Sequence, residues 1–233
     1  MKKFKAVLIV ILILALAGGG YGAYNYFYQL SHFFTTEDAS IAADMITITP
    51  EVTGKVTSWE VKEGDLVKAG QVIGHQDLGM LATSSAINTQ ALTNSADSLI
   101  SMADIKSPID GKVIQSNVVK QQVISPGMEI ATIADTVNVY IKANIEETDI
   151  FKIKTGQLVD IKIDAYPGKR FKGHVDSIGQ ATQSVFSAYP SLNTSGTFSK
   201  VTQLIPVKIS IINEENLEFM PGMNATVKIH IEQ

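Results

Sequence analysis

The sequence predicts a mainly β protein. An N-terminal transmembrane helix leads into a β-sandwich made of two half-copies split by a short, partly helical insert, and a small antiparallel β-barrel follows. Three observations carry this prediction. Ala6–Tyr28 is 23 residues long and holds no charge. One pattern of glycines and branched apolar residues is written twice at a constant offset of 57. After Thr136 the chain breaks into short segments that alternate apolar and polar residues, the period of half-buried strands.

The first element is the apolar run. About 20 predominantly apolar residues suffice for a helix to cross a bilayer. Lys2, Lys3 and Lys5 precede the run and belong on the cytoplasmic side, so residues 1–30 form a cytoplasmic tip and an anchor, with the bulk of the chain outside. Tyr21, Tyr24, Phe27 and Tyr28 suit the far interface as an aromatic belt. The competing reading is a cleaved signal peptide, since Ala15-Leu16-Ala17 has the small-x-small form of a cleavage site. Both readings place the remaining chain outside the cytoplasm. Residues 31–45 read as a lead-in strand or linker.

Composition removes several function classes. The 233 residues are 45% hydrophobic and 18% charged, with a formal net charge of −4, which leaves no basic footprint for nucleic acid. With no cysteine, the chain has no disulfide, thiolate metal site, thiol nucleophile or lipoprotein anchor.

The repeat is the second element. At the offset of 57, Ile48 falls on Ile105, Val52 on Ile109, Gly54 on Gly111 and Lys55 on Lys112. Val56 then falls on Val113, Val61 on Val118, Val67 on Ile124, Gly70 on Gly127 and Ile73 on Ile130, without a gap. Fixed-period self-similarity of this kind outranks any single motif. Glu63-Gly64-Asp65 and Lys68-Ala69-Gly70 are turn chemistry, where glycine supplies positive φ without steric cost. Gly54, Gly64, Gly70, Gly111 and Gly127 are therefore structural repeat positions. Neither half, 46–74 or 105–135, can bury its apolar face alone, so the two must pair across the insert 75–104 on a pseudo-twofold.

"VTGKV…VKEGDLVKAGQVI" and "SPIDGKV…VISPGMEI" resemble the two halves of a biotinyl/lipoyl-type domain. They resemble in particular the split version found in membrane fusion proteins, the periplasmic adaptors of HlyD type. The stretches Thr35–Val56, Asn138–Gly179 and Val185–Ile209 are similar to the EmrA-like branch, and "MPGMNATVKIHI" (Met220–Ile231) resembles the closing strand of the wider family. The resemblance implies a non-catalytic, membrane-anchored adaptor of a multidrug or small-molecule export system. It implies homo-oligomers and an inner-membrane transporter as partner, of major-facilitator type on the EmrA-like features. An ABC exporter, or an anchored ligand-binding module with no transporter, are the alternatives. No cofactor is implied. The carrier role of lipoyl-type folds needs a lysine at the crossover, and none occurs between Lys68 and Lys106.

The insert departs from that family. Ile87, Ala91, Leu92, Ala96, Leu99 and Ile100 recur at helical spacing, but the segment lacks sustained heptads. Two helices of roughly 12 residues reach only about 18 Å at 1.5 Å per residue. This makes an outer-membrane channel a doubtful partner and favours an envelope with a single membrane.

The third element, 136–233, carries "NVYIKANI", "LVDIKIDAY", "FKGHVDSI", "PVKISII" and "NATVKIHI". Alternation in these segments fits half-buried antiparallel strands. "EETDIFKI" (Glu146–Ile153) reads as one helical turn before Gly156. Within Ala181–Leu204, a long Ser/Thr-rich stretch, Phe186, Tyr189, Pro190, Asn193 and Phe198 are candidates for transporter docking; a surface loop without a partner is the other reading. His32, His75, His174 and His230 lack ligand spacing. Glu146, Glu147 and Asp149 read as a solvated face, and Trp59 reads as a strand packing residue.

Overall fold

The computed structural model describes residues 16, 18–24, 26, 28, 31–79, 102–186 and 202–231. The chain forms two compact units. One holds residues 42–139 with 219–221, and the other holds 1–41, 140–218 and 222–233.

The first unit is the sandwich. Its first half supplies strands β2 (Met45–Ile48), β3 (Gly54–Trp59), β4 (Leu66–Val67) and β5 (Val72–Asp77). Its second half supplies β6 (Asp104–Lys106), β7 (Gly111–Ser116), β8 (Val123–Ile124) and β9 (Ala131–Ala134). Strands β3 and β7, and β4 and β8, begin and end at the offset seen in the sequence.

The halves do not form one sheet each. The two sheets run β2-β9-β7-β4 and β6-β5-β3-β8, so each has a central pair from one half and edge strands from the other. Neither sheet exists without both halves. Hydrogen bonds repeat across the pseudo-twofold: Gly64 N–H donates to Val113 O and Gln121 N–H to Val56 O, both at 2.8 Å. Both central pairs carry a register shift at the same place, between Val56 and Ser58 in β3 and between Val113 and Gln115 in β7.

The core repeats too. Ile48/Ile105, Val56/Val113, Val61/Val118, Val67/Ile124 and Ile73/Ile130 are buried in one cluster, and each pair is one repeat position. Burying such side chains is worth about 1.5–3 kcal/mol apiece, which is what sets the register. Trp59 packs against this cluster, as its place on a strand predicts, and its Nε1–H donates to Ser116 Oγ at 2.9 Å. Trp59 and Ser116 are themselves repeat mates, so this bond ties the halves together near their axis.

One turn breaks the sequence symmetry. Gly64 has φ +94° and its repeat mate Gln121 has φ 75°, a region that costs a residue with a Cβ about 1–2 kcal/mol. Gln121→Gly is therefore expected to raise the unfolding midpoint by the equivalent of about 0.5–1 kcal/mol, since glycine gives back part of the gain as unfolded-state entropy. A thermal melt of the two proteins side by side checks this; an unchanged or lowered midpoint would show that the turn is not strained.

The second unit is a closed six-stranded barrel in the order β1-β10-β13-β12-β11-β14. Its strands are β1 (Phe33–Ala42), β10 (Tyr140–Glu146), β11 (Leu158–Ile163), β12 (Phe171–Ile178), β13 (Leu204–Ile212) and β14 (Asn224–His230). Alternation places Ile141, Ala143 and Ile145 of β10 inside, with Val159, Ile161 and Ile163 of β11.

The barrel is not confined to 136–233. Much of the lead-in 31–45 is barrel strand, with Phe33 opposite His230 and Ala39 opposite Ala225. Asn144 Nδ2–H donates to Asp38 Oδ1 at 2.9 Å across the β1/β10 seam. The strand was hard to read because "TTED" carries no apolar alternation and a bulge falls between Thr36 and Ala39. The turn expected in Glu146–Ile153 is a 3-10 turn at Ile150–Lys152. The insert is also shorter at both ends than 75–104, since β5 runs to Asp77 and β6 begins at Asp104; its residues 80–101 lie outside the described residues.

Residues 16, 18–24, 26, 28, 31 and 32 are helical and run into β1. Among the described residues no helix is long and apolar enough to cross a membrane; residues 1–15 of the expected anchor lie outside them.

Candidate functional site: one end of the barrel

The pairs β1–β14, β10–β13, β11–β12, β11–β14 and β12–β13 are antiparallel, which fixes what each end carries. The end where β1 begins is also where β14 finishes, where β10 turns into β11 through 147–157, and where β12 turns into β13 through 179–203. The helical stretch enters here as well. The other end carries the tighter connections 164–170 and 213–223.

At the entry, the Tyr28 and His32 rings stack with centroids 4.1 Å apart. Phe33 is held between two groups of β14: the His230 ring meets it edge-on at 4.8 Å, and Lys228 Nζ lies 3.9 Å from its centroid. His230 Nε2 is 2.8 Å from Asp160 Oδ2 of β11. Three strands are thus cross-linked around the first barrel residue, which makes the entry stiff.

Of the docking candidates only Phe186 is among the described residues. Phe186 closes a 3-10 turn at Gln183–Phe186, within the β12–β13 connection. Tyr189, Pro190, Asn193 and Phe198 lie outside the described residues. The acidic group is also here: Asp149 pairs with Lys152 at 2.5 Å, and Glu146 Oε2 accepts from Thr148 Oγ at 3.4 Å. These contacts describe a solvated face.

The histidines stay apart. His75 Nδ1 is 2.8 Å from Asp104 Oδ1 where the two ends of the insert meet, with Glu60 Oε1 3.6 Å from Nε2, and His174 Nδ1 is 2.9 Å from Ser210 Oγ in the barrel. Among the described residues no three His, Asp or Glu side chains are arranged to hold a metal ion.

The repeat glycines have two different jobs. Gly64, Gly70 and Gly127 adopt positive φ, whereas Gly54 and Gly111 sit where strands approach too closely for a Cβ.

Sequence reasoning missed an open groove of about 810 Å³ on the sandwich, lined by Ile46, Leu66, Ile109 and Val137 among others. Leu66 and Val137 are exposed large hydrophobics there. At its rim the Asn138 side-chain amide, followed by the Asn138 backbone N–H, holds the Asp135 carboxyl below the ordinary carboxylate range; burial pulls the other way and Val137 N–H adds a little. A single exposed leucine on a two-residue strand gives no sequence signal for such a groove.

A split sandwich with exchanged edge strands and a closed six-stranded barrel together define a two-unit, all-β architecture. Residues 44–135 match the CzcB-like, barrel-sandwich hybrid domain and residues 139–229 the YknX-like beta-barrel domain. The chain is 38% identical over 205 residues to the "Putative efflux system component YhbJ" of Bacillus subtilis (strain 168), covering 86% of this chain and 81% of that one. It is 33% identical over 133 residues to the "Colistin resistance protein EmrA" of Acinetobacter baumannii, covering 57% of this chain and 38% of that protein. A solved structure, "Structure of the periplasmic adaptor protein EmrA", shares the fold with a TM-score of 0.51 at 14% identity, over 86% of this chain and 99% of that one. The chain belongs to the membrane fusion (HlyD-type) adaptor family, in its EmrA-like branch.

Proposed function

We propose that this chain is the non-catalytic adaptor subunit of a multidrug or small-molecule export system. It is anchored in the cytoplasmic membrane by residues 6–28 with its bulk outside, and works as a homo-oligomer beside an inner-membrane transporter of major-facilitator type. The observation that carries this reading is topological. The helical entry, the 147–157 turn, the end of β12 and the start of β13 share one barrel end, which supports docking on the side of the anchor. Relatives with efflux and multidrug names support export as the process. The transporter class rests on the EmrA-like likeness, and an ABC exporter is the alternative.

The insert limits the reach of the assembly. β5 and β6 pair with Gly74 opposite Ile105 and His75 opposite Asp104, which closes the insert at its root. About 18 Å of hairpin beyond that root would not cross a periplasm, so an outer-membrane channel has no part in this reading.

A photoreactive amino acid at Tyr189 or Phe198, in cells making the full-length chain, tests the docking side. Crosslinking to a multi-spanning exporter is expected, and Tyr189→Ala with Phe198→Ala should lower drug resistance several-fold without changing the unfolding midpoint. Full resistance in the double variant, with no crosslink while the exporter still co-purifies, would move the docking surface elsewhere.

A further inference from the structure

We propose that Phe151 sits in the headgroup region of the extracytoplasmic leaflet, as a second lipid contact that fixes the barrel's stance on the membrane. The inference rests on the anchored reading above and adds a named surface with the bilayer as its partner.

Phe151 is 86% exposed at the middle of the Ile150–Lys152 turn. One exposed phenylalanine is ordinary. This one is held outward by a built support. Lys152 N–H donates to Asp149 O and Ile153 N–H to Ile150 O, both at 3.0 Å, while the Ile153 side chain is buried at 4% exposure. Gln157, only 8% exposed, braces the turn from within. Its Oε1 accepts from Lys154 N–H at 2.9 Å and its Nε2–H donates to Lys152 O at 3.2 Å. A buried amide that bonds the last residue of the turn and the backbone just beyond it holds the exit of the turn in place behind the exposed Phe151, and Leu158, 65% exposed, follows on the same barrel end.

Tether length brings this end to the lipid. Four residues, Gln29–His32, separate the apolar run from Phe33. Fully extended, the step from Tyr28 to Phe33 spans at most about 18 Å, and Ser31 and His32 are helical, which shortens it. Phenylalanine, with tryptophan and leucine, is among the apolar residues that interfacial segments bury at the headgroup boundary. Glu146, Glu147 and Asp149 stand beside Lys152 and Lys154, so this end is not basic and attraction to anionic lipid does not drive the contact. Binding through the ring should therefore be insensitive to salt and to anionic lipid.

The chain has no cysteine, so single-cysteine variants take one label each. Full-length Lys154→Cys, Ile212→Cys and Leu16→Cys, carrying an environment-sensitive fluorophore, would be reconstituted in phosphatidylcholine vesicles containing headgroup-region spin-labelled lipid, or lipid spin-labelled deep in the acyl chain for the label at 16, which lies near the bilayer centre in the anchored reading. The 154 label should be quenched several-fold more than the 212 label at the opposite barrel end, and Phe151→Asp should remove that difference while the label at 16 stays quenched. Equal quenching at 154 and 212, with 16 quenched, overturns the Phe151 contact and leaves the anchor standing. An unquenched label at 16 overturns both. Quenching at 154 that needs anionic lipid and low salt, or shielding that appears only with a co-reconstituted exporter, overturns the lipid contact in favour of charge or of a protein partner.

Discussion

Replacing Gly111 by alanine should destabilise the sandwich by about 2–4 kcal/mol, seen as a clear drop in its thermal unfolding midpoint. A Cβ at Gly111 would lie 2.3 Å from Ala134 O and 2.9 Å from both Ala134 C and Ile133 Cγ2. The obstacle is backbone in β9, the strand that pairs with β7 at the centre of its sheet, so relief requires prying apart a central ladder. At the repeat mate Gly54, the nearest atom to a Cβ is Gln76 Oε1 at 2.8 Å, the end of a side chain, with Asp77 O at 3.0 Å. Gly54→Ala should cost less, about 1–2 kcal/mol, by moving the Gln76 amide. A Gly111→Ala protein that melts with the parent would show that the two strands are further apart than described.

The second large effect tests the pseudo-twofold itself. Ile73 and Ile130 are repeat mates, both fully buried in the same cluster. Truncating either to alanine removes the same apolar volume from equivalent sites, and such changes cost 2–5 kcal/mol where the surroundings cannot collapse. Ile73→Ala and Ile130→Ala should therefore lower stability by similar amounts, within about 1 kcal/mol of each other, in denaturant titrations of the same protein background. Each loss is a large part of the total for a domain of this size. A large cost at one position and none at the other would contradict a shared, symmetric core.

The offset of 57 made the sandwich legible, because all five matched core pairs are apolar at both positions and buried in one cluster. What the repeat could not reveal is which half pairs with which. Alternation states which face of a strand is buried and says nothing of its neighbour, so the exchange of edge strands appeared only in the fold. Symmetry in sequence also hid an asymmetry in chemistry. Gln121 takes the positive φ that Gly64 takes in the first copy, and its side chain gives no hint of it. Gly173 is a similar case in the barrel, where a Cβ would collide with Ser210 O at 1.9 Å.

The candidate site was legible in part. The Ser/Thr-rich segment between β12 and β13 stands out by length and composition, but the barrel end at which β12 finishes and β13 begins depends on strand directions that no local pattern encodes. β1 was read as a lead-in because Thr35-Thr36-Glu37-Asp38 is polar, although Ala39 and Ile41 beyond the bulge are buried. Phe151 gives no signal inside a short mixed sequence; its significance lies in the Gln157 amide, which holds Lys152 O and Lys154 N–H at the exit of the turn.

The most direct measurement is purification of the tagged full-length protein from its native membranes in mild detergent, with the co-purifying proteins identified by mass spectrometry. An adaptor of this branch should bring down a 12- or 14-span exporter in stoichiometric amount, and the identity of that exporter decides between major-facilitator and ABC partners. A protein that extracts alone, stable and intact, from membranes that contain such exporters would contradict the adaptor reading and favour an anchored ligand-binding module.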